Sequence, residues 1–485
     1  MTETPGDFWP SLLGLFGILA FAAAIALTVH IVLYKRDERA AVGWVGVIWL
    51  APFVGPLAYW LLGINRIRRR ASRLRPERDL RRIEDQRGED ERSPLDRLPE
   101  DSRHLSLLAN LVDRLTHTRL TTGNAVTALV NGDHAYPEMI RAIDQAETSV
   151  ALASYIFNND STGQLFVEAL SRAEKRGVAV RVLVDGLGSY YSLPPVVGAL
   201  RAQGVTVARF LHSFQPWRMP LLNLRNHQKI LVVDGRSGFT GGMNIKDGHR
   251  LEQAPNSPVQ DVHFRLDGPV VGHLMEAFAD DWAFTTEEVL DGERWFPEIA
   301  PAGPVVARSI SGGPDEDQEK LRWTLLGALG VARRSIKIVT PYFLPDQPLM
   351  SALGVCAMAG IAVDIVIPAR SNMVFIDWAA VPKLEEALRA GAKVWVSPPP
   401  FDHSKLMLVD DAWLLLGSTN WDPRSLRLNF ELNVECYDRT LAAQLNRIVD
   451  DKIAASRALT LDDIGDRSLP VRLRDGLARL FTPYL

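Results

Sequence analysis

The chain has 485 residues, 47% of them hydrophobic and 23% charged, with a formal net charge of -4 at pH 7. That length exceeds one ordinary core and that balance excludes a disordered chain, so two or more folded domains are expected. A slightly acidic total gives no general pull toward nucleic acid or an anionic surface, so any such partner has to meet a local patch.

Two apolar stretches open the chain. Residues 8–34 and 40–64 contain no Asp, Glu, Lys or Arg, and each exceeds the roughly 20 residues that cross a bilayer as a helix. They predict a membrane anchor over 1–65 with two transmembrane helices. A cleavable signal peptide fits less well, because Glu3 and Asp7 are acidic and a second apolar stretch follows at once. Trp9, Trp44 and Trp60 stand near the ends, as interfacial anchors do. Pro52 and Pro56 predict a kink or a re-entrant hairpin in the second stretch, since proline lacks the backbone donor that a helix uses. Lys35, Arg36 and Arg39 lie between the stretches, whereas Arg66, Arg68, Arg69, Arg70, Arg73 and Arg75 follow the second. The larger cluster is expected to stay on the cytoplasmic side, with the rest of the chain, where anionic lipid attracts it. Residues 66–118 read as a charged linker, interrupted by Pro76, Pro94 and Pro99.

Beyond the linker the sequence repeats, with β-branched runs alternating with amphipathic patterns. Residues 142–160 (AIDQAETSVALASYIFNND) match 328–346 (ALGVARRSIKIVTPYFLPD), 177–185 (GVAVRVLVD) match 360–368 (GIAVDIVIP), and 200–207 (LRAQGVTV) match 388–396 (LRAGAKVWV). The expected fold is α/β, with two similar lobes over 119–300 and 301–460 meeting about a pseudo-twofold axis at a shared cleft. A tail over 461–485 closes the chain. Its apolar and arginine residues from 470 to 485 predict a helix packed on the catalytic lobe, in preference to one lying in a lipid interface.

One motif occurs once per lobe. Residues 226–244 (NHQKILVVDGRSGFTGGMN) and 402–420 (DHSKLMLVDDAWLLLGSTN) both place Lys two, Asp seven and Asn seventeen residues after a His. On a strand, residues two apart share a face, so His227 with Lys229, and His403 with Lys405, project together. The lysines, with Asn244 and Asn420, suit the non-bridging oxygens of a phosphoryl group. Asp234 and Asp410 precede turn-like segments and read as structural more than as acids. Two imidazoles suit a two-step displacement in which one attacks phosphorus and the other handles the proton. Asp261 and Glu431 stand downstream as carboxylates able to fix a ring tautomer. The spacing matches no metal pattern, so neither metal nor other cofactor is expected. Cys356 and Cys436, each within an apolar run, read as inert buried thiols.

These paired segments resemble the HKD motifs of the phospholipase D superfamily. Within it, the N-terminal apolar stretches, NHQK, DHSK, residues 420–431 (NWDPRSLRLNFE) and the short tail resemble bacterial cardiolipin synthases. The resemblance implies two α/β/α lobes with the site between them. It implies metal-independent condensation of two phosphatidylglycerols into cardiolipin with release of glycerol. With the two apolar stretches and the arginine count, the expected location is multi-pass in the bacterial cell membrane, with the catalytic domain in the cytoplasm. His227, Lys229, Asp234, His403, Lys405 and Asp410 carry over as the catalytic set, with His227 as nucleophile and His403 as general acid. Asp261 and Glu431 match the histidine-orienting carboxylates. Val259 and Gln260 replace the family's frequent Trp-Arg before Asp261, and Pro398 to Pro400 precede the second motif, which bears on acceptor preference. The competing expectations are a phospholipase D that passes the group to water and a lipid-binding scaffold with a dead site. An apolar anchor and an acidic chain argue against nucleic acid as a partner.

Overall fold

A computed structural model describes residues 5–35, 38–63, 100–116, 118–211, 224–314, 319–480 and 482. The described residues divide into two compact units, one over 5–63 and the other from residue 100 onward.

In the first unit a helix runs over Pro5–Tyr34. Its stretch Phe16–Tyr34 is 19 residues long and apolar enough to cross a membrane. The second apolar stretch is not one continuous helix but breaks where Pro52 predicts a kink or hairpin, and only the first helix is long and apolar enough to count as a span among the described residues. The second stretch forms a helix over Glu38–Leu50, turns at Ala51, Pro52 and Phe53, and resumes as short helices Val54–Ala58 and Tyr59–Gly63. Pro52 cannot donate to the preceding turn, and Pro56 lies one turn later. The segments pack through Ala24, Ile31, Ile48 and Tyr59. His30 Nδ1 lies 2.9 Å from the Tyr59 hydroxyl, and Trp49 donates to Thr28 at 3.1 Å. The arginine cluster and most of the expected linker lie outside the described residues.

The second unit is built on one sheet of 15 strands and a separate two-stranded sheet of Val259–Gln260 with Phe401–Asp402, and its strands fall into two halves. Its first half contains β1 (Thr121–Val130), β2 (Ser149–Ser154), β3 (Ala179–Asp185), β4 (Val207–Phe210), β5 (Ile230–Val233), β6 (Ser237–Gly241), β7 (Val259–Gln260) and β8 (Val262–Asp267). The second half contains β9 (Val305–Gly312), β10 (Ser335–Val339), β11 (Ala362–Pro368), β12 (Lys393–Ser397), β13 (Phe401–Asp402), β14 (Leu406–Val409), β15 (Trp413–Gly417), β16 (Glu431–Tyr437) and β17 (Arg457–Leu459).

The order β17-β12-β11-β10-β14-β15-β16-β9-β1-β8-β6-β5-β2-β3-β4 is nearly palindromic. Its centre is the antiparallel seam of β1 and β9, where Thr121 faces Ala307. In each half three parallel strands adjoin an antiparallel group, and helices follow β2 (Ser161–Lys175) and β10 (Gln347–Met358). Each half keeps its own core, around Phe166, Leu231 and Phe239 in one and Leu325, Ile338 and Trp413 in the other. The fold is therefore α/β with two similar halves, as the repeat predicts.

The end of the expected linker is ordered. The helix Ser106–Leu115 buries Leu108, Ala109 and Val112 in the core of the second half, although it precedes the first in sequence. Its apolar spacing supplies a stripe that charge counting over 66–118 overlooked. Cys356 and Cys436 are free and buried.

Candidate active site

His227 and Lys229 lie on the extended run entering β5, and His403 and Lys405 on the run entering β14. These runs bond across the halves instead of joining their own ladder first. His227 N donates to Phe430 O at 2.9 Å, and His403 N donates to Gln260 O at 2.8 Å. β13 pairs with β7 in parallel, while Asn226 bridges Phe430. Each motif is thus threaded along the strand that carries the other half's carboxylate.

The side chains follow the same exchange. Nδ1 of His227 lies 3.0 Å from both Glu431 oxygens, and Nδ1 of His403 lies 2.9 Å from Asp261 Oδ2. All four groups are buried. Glu431 also accepts from Ser418 Oγ and from Asn429 Nδ2 at 3.0 Å, and Asp261 accepts from Val262 N at 2.8 Å. With Nδ1 committed to a carboxylate, Nε2 is the ring nitrogen left for chemistry.

Lys229 donates to its own motif's His227 O at 2.5 Å, and Lys405 does the same to His403 O. Each ammonium has two further protons to offer. Lys229 also sits 5.4 Å from the centre of the Tyr155 ring, which meets His227 edge-on at 5.0 Å. Asn244 Oδ1 accepts from Ile156 N at 3.1 Å, while Asn420 Nδ2 donates to Ser425 Oγ at 3.2 Å. The Asn420 Oδ1 atom is buried and meets no donor.

Electrostatics couple these groups across the two halves. Burial lowers His227 to about 4, with Glu431 raising it and the charges of Lys229 and Lys405 lowering it further. Burial likewise holds His403 well below the ordinary histidine value, and Lys405, Lys229, His249 and His227 all push the same way. Both imidazoles therefore rest neutral. Burial also draws Lys229 down to about 7 and Lys405 to about 8. Burial pushes Glu431 up, but His227, Lys229 and Ser418 outweigh it and leave the carboxyl below its usual range. Asp261 differs: burial raises it to about 7 against the charge of Lys405.

The resemblance groups Asp234 and Asp410 with the reacting residues, yet the structure separates them. Each stands at the far end of β5 or β14 from its histidine, in the left-handed region at φ 52° and 54°. Asp234 Oδ1 accepts from Thr148 N at 2.7 Å and Ser149 N at 3.0 Å. Asp410 accepts from Arg333 N, Arg334 N and Ser335 N at 2.8, 2.7 and 3.0 Å, and lies 2.8 Å from His104 Nε2. These aspartates tie the turn after the motif strand to the start of β2 or β10.

Several residues around the site escaped sequence reasoning. Asn226 Nδ2 donates to Asp281 at 2.6 Å, and in the equivalent place Lys452 donates to Asp402 at 2.6 Å. Asp185, raised to about 6 by burial, accepts from Asn226 N at 2.8 Å. Tyr155 and Tyr342 stand one place apart in the aligned repeat, Tyr155 opposite Pro341 and Tyr342 opposite Ile156, each just before the matching Phe157 and Phe343. Among the described residues no group of three or more His, Cys, Asp or Glu could hold a metal ion.

Two histidines from matching halves, each backed by a carboxylate and flanked by a lysine, define a two-lobed phospholipase D-like protein. The model described as cardiolipin synthase, PLD-like domain, matches residues 139–282 and 325–453, and one described as phospholipase D-nuclease N-terminal matches 22–63. The chain belongs to the cardiolipin synthase, PLD-like family. It is 31% identical to cardiolipin synthase 1 of Bacillus anthracis, over 98% of this chain and 95% of that one. To the major cardiolipin synthase ClsA of Bacillus subtilis (strain 168) it is 32% identical, over 98% and 99%. The fold is shared with phosphatidylserine synthase of Haemophilus influenzae Rd KW20, at a TM-score of 0.61 and 15% identity, over 78% of this chain and all of that one.

Proposed function

We propose that the protein is a membrane-bound cardiolipin synthase that moves a phosphatidyl group from one phosphatidylglycerol to another through a phosphohistidine. The observation that carries this mechanism is the pair of buried imidazoles, each held at Nδ1 by the opposite half.

His227 Nε2 attacks phosphorus, the bond from phosphorus to the glycerol oxygen breaks, and His403 supplies the proton that glycerol carries away. The headgroup hydroxyl of a second phosphatidylglycerol then gives its proton to His403 and attacks phosphorus, and the bond to nitrogen breaks. His227 takes the nucleophile's part because Glu431 keeps its negative charge and makes that imidazole the more electron-rich. The phosphodiester brings its own negative charge into the pocket, which favours a proton on His403. Lys229 and Lys405, with Asn244 and Asn420, hold the non-bridging oxygens as charge builds there.

The second apolar stretch is read as returning across the bilayer with a bend at Pro52. Arg66 to Arg75 then keep the catalytic unit in the cytoplasm of a bacterial cell. Protease protection in sealed vesicles tests that side, and cleavage from the external face would reverse it. The activity is tested by giving the purified chain labelled phosphatidylglycerol in the presence of a chelator. Cardiolipin and glycerol are expected. Phosphatidic acid as the main lipid product would make the protein a hydrolase instead.

A further inference from the structure

The helix Leu469–Leu480 presents opposite stripes to opposite surroundings. Asp475 and Ala478 are buried against the catalytic unit, whereas Leu469, Leu473, Leu477 and Leu480 are 76%, 62%, 51% and 67% exposed. An amphipathic helix of a soluble protein turns its leucines inward, so this orientation requires a cover.

The helix is fixed to the helix Val374–Arg389, with the Arg474 guanidinium 4.3 Å above Trp378. Trp378 in turn adjoins Phe375 at 6.2 Å between ring centres. Met373 and Val374, at the head of that second helix, are themselves 46% and 57% exposed. The surface leads directly to the site. Asn372, next to Met373, accepts from the Tyr342 hydroxyl; the Tyr342 ring adjoins Phe401 at 6.4 Å, and Phe401 adjoins His403 at 5.8 Å.

We propose that the leucine stripe of the C-terminal helix and the head of the helix Val374–Arg389 form a docking surface for an anionic phospholipid bilayer beside the catalytic cleft. Arg472 and Arg479 are exposed next to the leucines, and this pairing of apolar and basic residues suits the boundary between acyl chains and anionic headgroups. The structure places that boundary within one short aromatic path of His403, so a lipid headgroup is offered to the cleft without its chains leaving the membrane. The inference rests on the phospholipid reading of the cleft and adds the surface through which the lipid arrives.

Both native cysteines are buried, so a single Leu477→Cys or Leu473→Cys accepts a polarity-sensitive fluorophore selectively. The full chain is reconstituted in vesicles of phosphatidylcholine and phosphatidylglycerol, with and without spin-labelled lipid. Blue-shifted emission, quenched at least twofold by the spin-labelled lipid, is expected at both positions and at neither Glu168→Cys nor Arg201→Cys. Water-like, unquenched emission at 473 and 477 would overturn the proposal. So would shielding by a second copy, seen as emission that depends on protein density and ignores the spin label. A second variant, Leu473→Gln with Leu477→Gln, should raise KM for vesicle phosphatidylglycerol on the order of tenfold, since the transfer of apolar area drives the contact. Its turnover of a short-chain, water-soluble phosphatidylglycerol should be unchanged, and equal loss on both substrates would count against docking. Because the fluorescence reads lipid contact and not turnover, a shielded label on a chain that made no cardiolipin would sink the proposed activity and leave the docking surface standing.

Discussion

Glu431 holds His227 from the opposite half of the sheet, with both carboxylate oxygens 3.0 Å from the ring nitrogen Nδ1. Asp261 holds His403 in the reverse sense. The duplicated motif therefore makes one site and not two, since neither half contains a complete histidine and carboxylate pair. Replacing Glu431 with Gln keeps the volume but removes the charge and permits the wrong tautomer. Formation of the phosphoenzyme should slow about 10- to 100-fold, as loss of a ring-orienting partner does. Rapid-quench single turnovers measure it, and an unchanged first step with slower turnover would move the nucleophile's role to His403.

The two histidines should fail differently. His227→Ala should leave no acid-labile phosphoenzyme, because no other nitrogen in the proposed scheme bonds to phosphorus. His403→Ala should still form one, slowly, and release it slowly. Phosphoenzyme recovered from the first variant and absent from the second would exchange their parts.

Activity should fall on the alkaline side earlier than lysine chemistry ordinarily suggests. Burial draws Lys229 down to about 7 and Lys405 to about 8, so raising the pH through that range strips positive charge from the pocket. His227, lowered to about 4 by burial, remains neutral and able to attack throughout. The expected result is a kcat/KM for phosphatidylglycerol that declines above about pH 7. Lys229→Arg retains the charge, and its profile should decline at higher pH. A limb that stays in place in that variant would belong to another group.

Asp234 and Asp410 should prove to be matters of folding. Asp410→Ala leaves the Arg333, Arg334 and Ser335 amides without their acceptor, a cost of about 1–3 kcal/mol. Denaturation should show that loss, while the fraction that stays folded forms phosphoenzyme at the normal rate. A normal midpoint with a failed chemical step would return the aspartate to the reacting set.

The contrast between these residues shows what the sequence could carry. The repeat made the halves visible, because β-branched runs and the spacing from His to Lys to Asn recur in register with the strands that later align as β2 with β10 and β5 with β14. The same spacing was silent on which carboxylate faces which ring. Glu431 and His227 are 204 positions apart, and only the crossing of the halves chooses Glu431 over the nearer Asp261. Helix Ser106–Leu115 shows the same limit, since nothing local says that a segment before the first half packs in the second. In the anchor, hydropathy identified the apolar stretch correctly, but Pro52 decided how it is divided.

Arg308 offers the sharpest test of how the halves are held. It lies fully buried on β9 beside the seam, bonded to Glu435 of β16 and to Asp113, with its other arm 2.7 Å from Ala109 O. Glu435, also fully buried, takes further bonds from Trp413 Nε1 at 3.0 Å and the Tyr437 hydroxyl at 3.1 Å. Arg308→Ala strands that carboxylate without a cation, which costs about 3–5 kcal/mol. Adding Glu435→Gln removes the stranded charge, so the double variant should recover part of the loss in denaturant melts. Because the network adjoins the strand pair that joins the halves, the single variant should also slow phosphoenzyme formation by loosening the crossing that sets His227 against Glu431. Full stability in Arg308→Ala would show that the guanidinium is replaceable by water and that the seam stands on its strands alone.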